Sequence, residues 1–171
     1  MPPIDTLLQR FGLRPGDIAG SWFASEIPVS EAFINRQIAA RLERHPHIAS
    51  VLVTLQEGDA AVVRVEPRSR LVPAVAVNVR IEQQPSLPED PVIVLRWSMP
   101  AAGPLALIAG KVAGYIKGLP DGVRIESDLI VVDLRTLLRA RGVEDVLTIA
   151  RRVAFHTRPG ALVVELEAGI S

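Results

Sequence analysis

Cysteine is absent from this 171-residue chain, aromatic residues make up only 4% of it, and lysine occurs only at positions 111 and 117. Without cysteine there is no disulfide framework and no thiolate to bind a metal or to act as a nucleophile. The formal net charge is zero, so no electrostatic footprint points to nucleic acid or to an anionic membrane surface. We therefore expect a partner other than nucleic acid.

The sequence motifs of common catalytic sites are also missing. There is no Gly-x-Ser-x-Gly, no P-loop and no Gly-x-Gly-x-x-Gly. The pair His45 and His47, close to Glu43, lacks a third metal ligand nearby, and we interpret it as a solvated helix end. Asp121 and Asp128 flank a strand start and suit turns better than paired acid–base chemistry. The prediction is a protein that is not an enzyme and that needs no metal or cofactor.

The N-terminal residues 1–6 lack the basic and apolar regions of a signal peptide. A cytoplasmic location is therefore expected, or a periplasmic one where residues before Met1 have been removed. At 171 residues the chain is long enough for a single domain with a sizeable core.

What the chain does have is aliphatic content, with 49% hydrophobic residues and a mean hydropathy of +0.28. This exceeds what a polar-surfaced domain usually needs. Two interpretations follow: the excess forms a core plus a subunit interface, or it lines a surface turned towards a ligand.

Residues 103–118 carry the most apolar pattern in the chain. Pro104 suits a first helical turn and Gly118 a stop, so we predict a helix. Its apolar face has helical spacing and comprises Leu105, Ile108, Val112, Tyr115 and Ile116. A second line of small residues comprises Ala106, Gly110, Gly114 and Gly118. At about 20–25 Å this helix is shorter than a bilayer core of about 30 Å, so we expect no integral membrane segment.

The N-terminal part of the chain predicts a leader and one amphipathic helix. We expect residues 1–29 to be a helical leader that docks on a single domain at residues 30–171. Ser30 is a suitable N-cap for a helix running to about His45. The apolar stripe of that helix comprises Phe33, Ile34, Ile38 and Leu42.

From residue 48 the hydrophobic period changes to two, which predicts strands. The predicted strands lie at residues 51–55, 62–65, 71–81, 91–97 and 123–132, with a bulge or turn near residues 127–128. Short loops between them imply an antiparallel meander. Asp133 is a plausible N-cap for a helix at 134–141, and a short helix and a C-terminal hairpin around residues 158–161 follow.

The expected fold is therefore α+β, with an antiparallel sheet and amphipathic helices covering it. If the helices seal the sheet completely, the result is a plain core. If the glycine line of residues 103–118 leaves a groove, that groove would be lined by aliphatic side chains and would suit a fatty-acyl chain.

The order of these elements, together with Leu119-Pro120-Asp121-Gly122-Val123, resembles the tubular lipid-binding (TULIP) superfamily, especially its small bacterial phospholipid-binding members. The resemblance covers about residues 30–168. It implies a strongly curved antiparallel sheet, a half-barrel wrapped around one or two amphipathic helices and enclosing an apolar lipid tunnel. Carried over by position, the implied lipid-binding residues are Phe33, Ile34, Ile38, Val75, Val77, Val79, Leu95, Leu105, Ile108, Val112 and Ile116.

The resemblance implies that the protein binds, and carries, a lipid or another long apolar ligand. Our leading hypothesis adds a homodimer to this function. The alternative is an oligomerisation or adaptor module with a fully packed core. Export is usual among those bacterial proteins, whereas no export signal is visible here. The segment 133–150 also predicts two short helices where the family would have continuous sheet.

Overall fold

The computed structural model describes residues 22–43, 45–69, 71–99 and 120–169, which form two antiparallel sheets and three helices. In chain order the elements are β1 Trp22–Ser30, α1 Glu31–Leu42, β2 Ile48–Gln56, β3 Ala60–Pro67, β4 Val75–Gln83, β5 Val92–Ser98, β6 Val123–Glu126, β7 Leu129–Asp133, α2 Leu134–Arg139, α3 Val146–Ile149, β8 Ala150–Arg158 and β9 Ala161–Gly169. The predicted helix at residues 103–118 lies outside the described residues. Within these ranges, no helix is both long and apolar enough to cross a membrane.

The larger sheet has six strands in the order β2-β3-β4-β5-β7-β6. Its first four strands confirm the predicted meander, because each pairs antiparallel with the next along the chain. The irregularity predicted near residues 127–128 is a two-residue hairpin turn in which Ser127 has a φ of 56°. Neither sheet is closed or strongly curled. The expected half-barrel curvature is therefore not seen over the described residues.

The smaller sheet has the order β1-β9-β8. Its hairpin β8–β9 confirms the predicted C-terminal hairpin, with Gly160 at a φ of 79° in the turn. Strand β1 pairs with β9 along its whole length, from Trp22 opposite Gly169 to Ser30 opposite Ala161. Residues 22–29, which we predicted as the end of a helical leader, are therefore a strand that forms part of a sheet.

Helix α1 joins the two sheets and lies along the free edge of β2. Ser30 caps it as predicted, since its Oγ accepts a hydrogen bond from the Phe33 N–H at 3.2 Å. The Asn35 amide bonds both backbone groups of Val53: its Nδ2 donates to the carbonyl at 2.9 Å, and its Oδ1 accepts from the N–H at 2.8 Å. Glu31 Oε2 accepts from the Leu55 N–H at 2.7 Å. These side chains satisfy strand groups that an edge would otherwise expose.

Helix α2 begins at the N-cap that the sequence predicts. Asp133 Oδ1 accepts from the backbone N–H groups of Arg135 and Thr136, at 2.9 and 3.2 Å. The Thr136 hydroxyl donates to Asp133 Oδ2 at 2.6 Å. This hydroxyl bond is the main cause that lowers the pKa of Asp133 below its ordinary value, and the two N–H groups act in the same direction.

The two faces of the larger sheet differ in chemistry. Directly opposed residues of antiparallel strands share a face, so the register defines both sides. One side, here called the apolar face, comprises Val51, Val53, Leu55, Ala61, Val63, Val65, Val75, Val77, Val79, Ile81, Ile93, Leu95, Trp97, Val123, Ile125, Ile130 and Val132. The other side, here called the charged side, carries the ion pairs Arg64–Glu66, Arg96–Glu82 and Arg124–Glu126, together with some aliphatic residues, of which Val131 is buried at 5% exposure. Most of the buried residues of this sheet, Leu55, Val75 and Ile93, lie on the apolar face.

Candidate functional site

A cavity of about 270 Å³ lies where the apolar face meets the smaller sheet. The larger sheet contributes residues from β3, β4, β5 and β7, and the smaller sheet contributes residues from β8 and β9. The lining residues are Asp59, Ala60, Ala61, Val79, Ile81, Ile93, Leu95, Val132, Phe155, Thr157 and Leu162. Apart from Asp59 and Thr157 these side chains are hydrocarbon, so the cavity offers dispersion and burial, with little directional bonding.

The apolar face beyond the cavity is only partly covered. Leu55, Val75 and Ile93 are buried, at 7%, 4% and 8% exposure. All the other members of the face are half-buried. An aliphatic surface in this state has apolar area still to lose to a ligand or a partner.

Two side chains at the ends of strands in the larger sheet bind the backbone of β8. Gln84, just after β4, donates from Nε2 to the Phe155 carbonyl at 2.7 Å and accepts the Phe155 N–H on Oε1 at 2.9 Å. Asp59, in the β2–β3 turn, accepts the Thr157 N–H on Oδ1 at 3.1 Å. These bonds hold Phe155 and Thr157 at the cavity wall.

The polar rim of the cavity is centred on Asp59. His156 Nδ1 lies 3.2 Å from Asp59 Oδ1, and its Nε2 lies 3.7 Å from Glu165 Oε1. The Thr157 hydroxyl donates to the Gln56 carbonyl at 2.6 Å. The rim is thus occupied by its own internal bonds, and its role in the site is to join the two sheets.

Trp97 is the polar exception on the apolar face itself. It lies in β5 opposite Val79, two residues along the strand from Leu95. Its Nε1 atom is buried, and no described residue accepts a hydrogen bond from it. A buried indole N–H normally has a hydrogen-bond partner.

The structure brings together only part of the site implied by the TULIP resemblance. Val79 and Leu95 line the cavity, and Val75 and Val77 belong to the same apolar face. Phe33, Ile34 and Ile38 lie on α1, at the edge of β2, and are not among the residues that line the cavity. Leu105, Ile108, Val112 and Ile116 lie outside the described residues, and their role stays a prediction.

Several cavity residues were missed although the sequence carries a signal for them. Ile81 continues the alternation of Val75, Val77 and Val79, and Ile93 alternates with Leu95, so both could have been assigned to the site. Phe155 and Leu162 follow the alternation of the C-terminal hairpin. What the sequence does not contain is the packing of that hairpin over the end of the larger sheet, because this packing depends on Gln84 and Asp59.

Within the described ranges, no group of three or more histidine, aspartate or glutamate side chains is arranged to hold a metal ion. Comparison of the chain with protein-family models, with curated proteins and with solved structures finds no match in any of the three.

Proposed function

We propose that this protein binds a lipid or another long apolar ligand on the apolar face, with part of the hydrocarbon in the cavity between the two sheets. The single observation that carries the proposal is the hydrocarbon lining of a 270 Å³ cavity that opens from a half-buried aliphatic surface. An engineered cavity of about 150 Å³ with similar lining stays dry and binds benzene. A cavity nearly twice as large has room for a flexible chain.

The magnitudes favour a ligand longer than the cavity. The volume of the cavity corresponds to about nine water molecules at roughly 30 Å³ each, which is comparable to eight to ten methylene groups. At about 0.8 kcal/mol for each buried methylene, the cavity supplies about 6–8 kcal/mol. Association costs at least about 4 kcal/mol, so a chain confined to the cavity would bind weakly. Contact with the rest of the apolar face is needed for micromolar affinity.

Membership of the TULIP superfamily is part of this proposal. It is supported by the capped helix followed by an antiparallel meander with one wholly apolar face. The open form of the described sheets gives the proposal its particular geometry: the ligand lies along one face of a sheet and enters a cleft between two sheets, in place of a closed tube.

The direct test is to fill the cavity. Ala61 lines it, so Ala61→Leu adds hydrocarbon where the acyl chain would lie. Ala76 is the matched control, because it is exposed and lies in the neighbouring strand on the charged side, opposite Arg64. We expect Ala61→Leu to weaken binding of a fluorescent C16 acyl probe at least tenfold, with little change in stability. Ala76→Leu should leave the affinity within about twofold.

A chain-length series makes the test sharper. Decanoic and hexadecanoic acids should displace the probe, and the longer acid should bind tighter because it covers more of the apolar face. The proposal is wrong if the wild-type protein binds no acyl probe, or if Ala61→Leu and Ala76→Leu bind it equally well.

A second candidate function is self-association, which the outer edge of the smaller sheet favours. Trp22, Phe23 and Ile27 in β1 are 69%, 47% and 48% exposed. Exposed apolar side chains on an edge strand are typical of an interaction surface. A tight dimer that dissociates on Ile27→Glu in sedimentation experiments, in a protein that binds no acyl probe, would support this function over lipid binding.

A further inference from the structure

Strands β5 and β6 of the larger sheet run parallel to each other, because each pairs antiparallel with β7, which lies between them. A connection between parallel strands of one sheet must return along the sheet and cross one of its two faces. The chain between Ser98 and Val123 is such a crossover, and residues 100–119 within it lie outside the described residues. These residues must therefore pass over either the apolar face or the charged side.

The strand register sets the distance that this crossover must span. Val123 is paired with Val132, and Val132 with Ile93, so β6 begins level with Ile93, five residues before Ser98. At about 3.4 Å per residue the chain returns about 17 Å along the sheet, and it moves two strand spacings, about 10 Å, sideways. The helix predicted at residues 103–118 would be about 20–25 Å long and about 10 Å wide. Its dimensions match the path.

Backbone hydrogen bonds determine which face a right-handed crossover takes. The Trp97 side chain lies on the apolar face, and its N–H donates to the Asp128 carbonyl at 2.8 Å, so this N–H points from β5 towards β7. In a strand of L-residues that runs upward, a residue whose side chain faces the viewer directs its N–H to the right. Seen from the apolar face with β5 running upward, β7 and β6 therefore lie to the right. Crossovers are right-handed in about 98% of cases, and a right-handed crossover that moves to the right passes in front of the sheet. The front here is the apolar face.

The side chains of the two faces favour the same choice independently. On the charged side of these strands, Arg96, Arg124 and Glu126 are ion-paired and 47%, 60% and 57% exposed. An aliphatic helix face packed there would remove these charges from water without supplying a partner. On the apolar face the same strands present half-buried aliphatic side chains such as Ile125 and Ile130. These can lose further apolar area at no such cost.

We propose that the apolar face of β5, β7 and β6 is the docking surface for residues 103–118 of the same chain, which cross it as a helix. The residues turned towards the sheet would be Leu105, Ile108, Val112 and Ile116. This inference goes beyond the proposed function and does not rest on it, because it concerns contacts within the chain. The apolar face of β2, β3 and β4, next to the cavity, remains for the ligand.

The test is cross-linking between engineered thiols, which have no background because the chain contains no cysteine. The path places Val112, near the middle of the helix, level with Ile130 of β7. Leu129 is the matched control, since it is the adjacent residue of β7, is also half-buried and lies on the charged side. With a short bismaleimide, we expect Val112→Cys/Ile130→Cys to give a cyclised monomer at least about tenfold faster than Val112→Cys/Leu129→Cys.

A second pair of variants tests the direction of the helix and does not depend on Ile130. Ile116 would lie level with Val132, whereas Leu105 would lie about 16 Å further along the helix axis, near the end of β5. We expect Ile116→Cys/Val132→Cys to cyclise and Leu105→Cys/Val132→Cys to remain linear on the same timescale. The reverse order would overturn the proposed path. Thermal unfolding of each variant before cross-linking shows that the compared proteins are folded.

Each outcome decides the proposal. Faster cyclisation through Leu129, or equal rates through Leu129 and Ile130, would overturn it, because the helix would not then lie on the apolar face. Cross-linked dimers in place of cyclised monomers would overturn it too, and would assign the docking surface to a second copy of the chain. Folded variants in which no pair reacts would leave the surface to another occupant. None of these results changes the expected effect of Ala61→Leu on acyl-probe binding, so failure here is distinguishable from failure of the proposed function.

Discussion

Replacement of Asn35 by alanine should destabilise the protein although the side chain belongs to a surface helix. The Asn35 amide bonds both the carbonyl and the N–H of Val53, at 2.9 and 2.8 Å, and thereby acts as one residue of an additional strand on β2. Asn35→Ala removes both bonds and leaves two part-buried backbone groups at a sheet edge without a partner.

The magnitude follows from those two bonds. Each contributes about 0.5–1.5 kcal/mol net, which gives about 1–3 kcal/mol together. Alanine is a better helix former than asparagine by up to about 0.7 kcal/mol, and this gain offsets part of the loss. The expected net loss is about 1–2 kcal/mol. For a domain of this size that corresponds to a fall in Tm of about 2–8 °C.

The assay is urea and thermal unfolding of Asn35→Ala beside two variants. Gln37→Ala is the matched control, since Gln37 is an exposed amide on the same helix, and it should change stability by no more than about 0.5 kcal/mol. Asn35→Asp keeps the size of the side chain but places an acceptor against the Val53 carbonyl, so it should cost at least as much as alanine. An unchanged Tm for Asn35→Ala, or equal losses for Asn35→Ala and Gln37→Ala, would refute the reasoning.

Two further predictions concern the turn regions around α2. Asp133→Ala should cost about 1 kcal/mol near pH 7 by removing the N-cap. The pKa of Asp133 is lowered in the folded state, so the stability that its carboxylate contributes is present above the unfolded carboxyl pKa of about 3.9 and is lost as the pH falls through the folded value. The difference between Asp133→Ala and wild type in urea unfolding should therefore shrink below about pH 4. A difference that stays constant with pH would contradict this. Gly122→Ala should lower the free energy of unfolding by at least about 1 kcal/mol more than Gly160→Ala in the same assay. Both glycines have positive φ, but a Cβ at Gly122 would lie 2.9 Å from the Asp133 carbonyl oxygen, whereas nothing lies within 4 Å of a Cβ at Gly160. Equal losses at the two glycines would show that the close contact relaxes at no cost.

The local elements of this fold could be predicted from the sequence, and the pairing of distant segments could not. The period-two alternation of Val75, Val77 and Val79 fixes a strand and its apolar side without reference to any other element. In contrast, the strand at Trp22–Ser30 lacks a clean period and depends on β9, more than 130 residues away, for every backbone bond. Short-range chemistry carries no information about such a partner, and this segment was assigned to a helical leader for that reason.

The candidate site was predictable to the same extent. Val79 and Leu95 could be assigned because their strands have an apolar face whatever lies against it. The apolar stripe of α1 comprises Phe33, Ile34 and Ile38, but its spacing alone does not predict which surface it packs against. Asn35 and Glu31 bring α1 to the edge of β2, away from the cavity. Polar contacts, which the hydrophobic pattern does not include, decide where the helix docks.

Side-chain hydrogen bonds at the strand edges also bear on the class of partner that the proposed function requires. A partner that adds a strand needs free backbone groups at an edge. At the edge of β2 the N–H groups of Val53 and Leu55 are bonded by side chains, and at β8 those of Phe155 and Thr157 are bonded likewise. Both edges are therefore blocked to strand addition at these positions. The apolar face between them has no such protection and offers no backbone bonds, so it favours a ligand that gains free energy from burial alone. The hydrocarbon of the proposed ligand meets that condition.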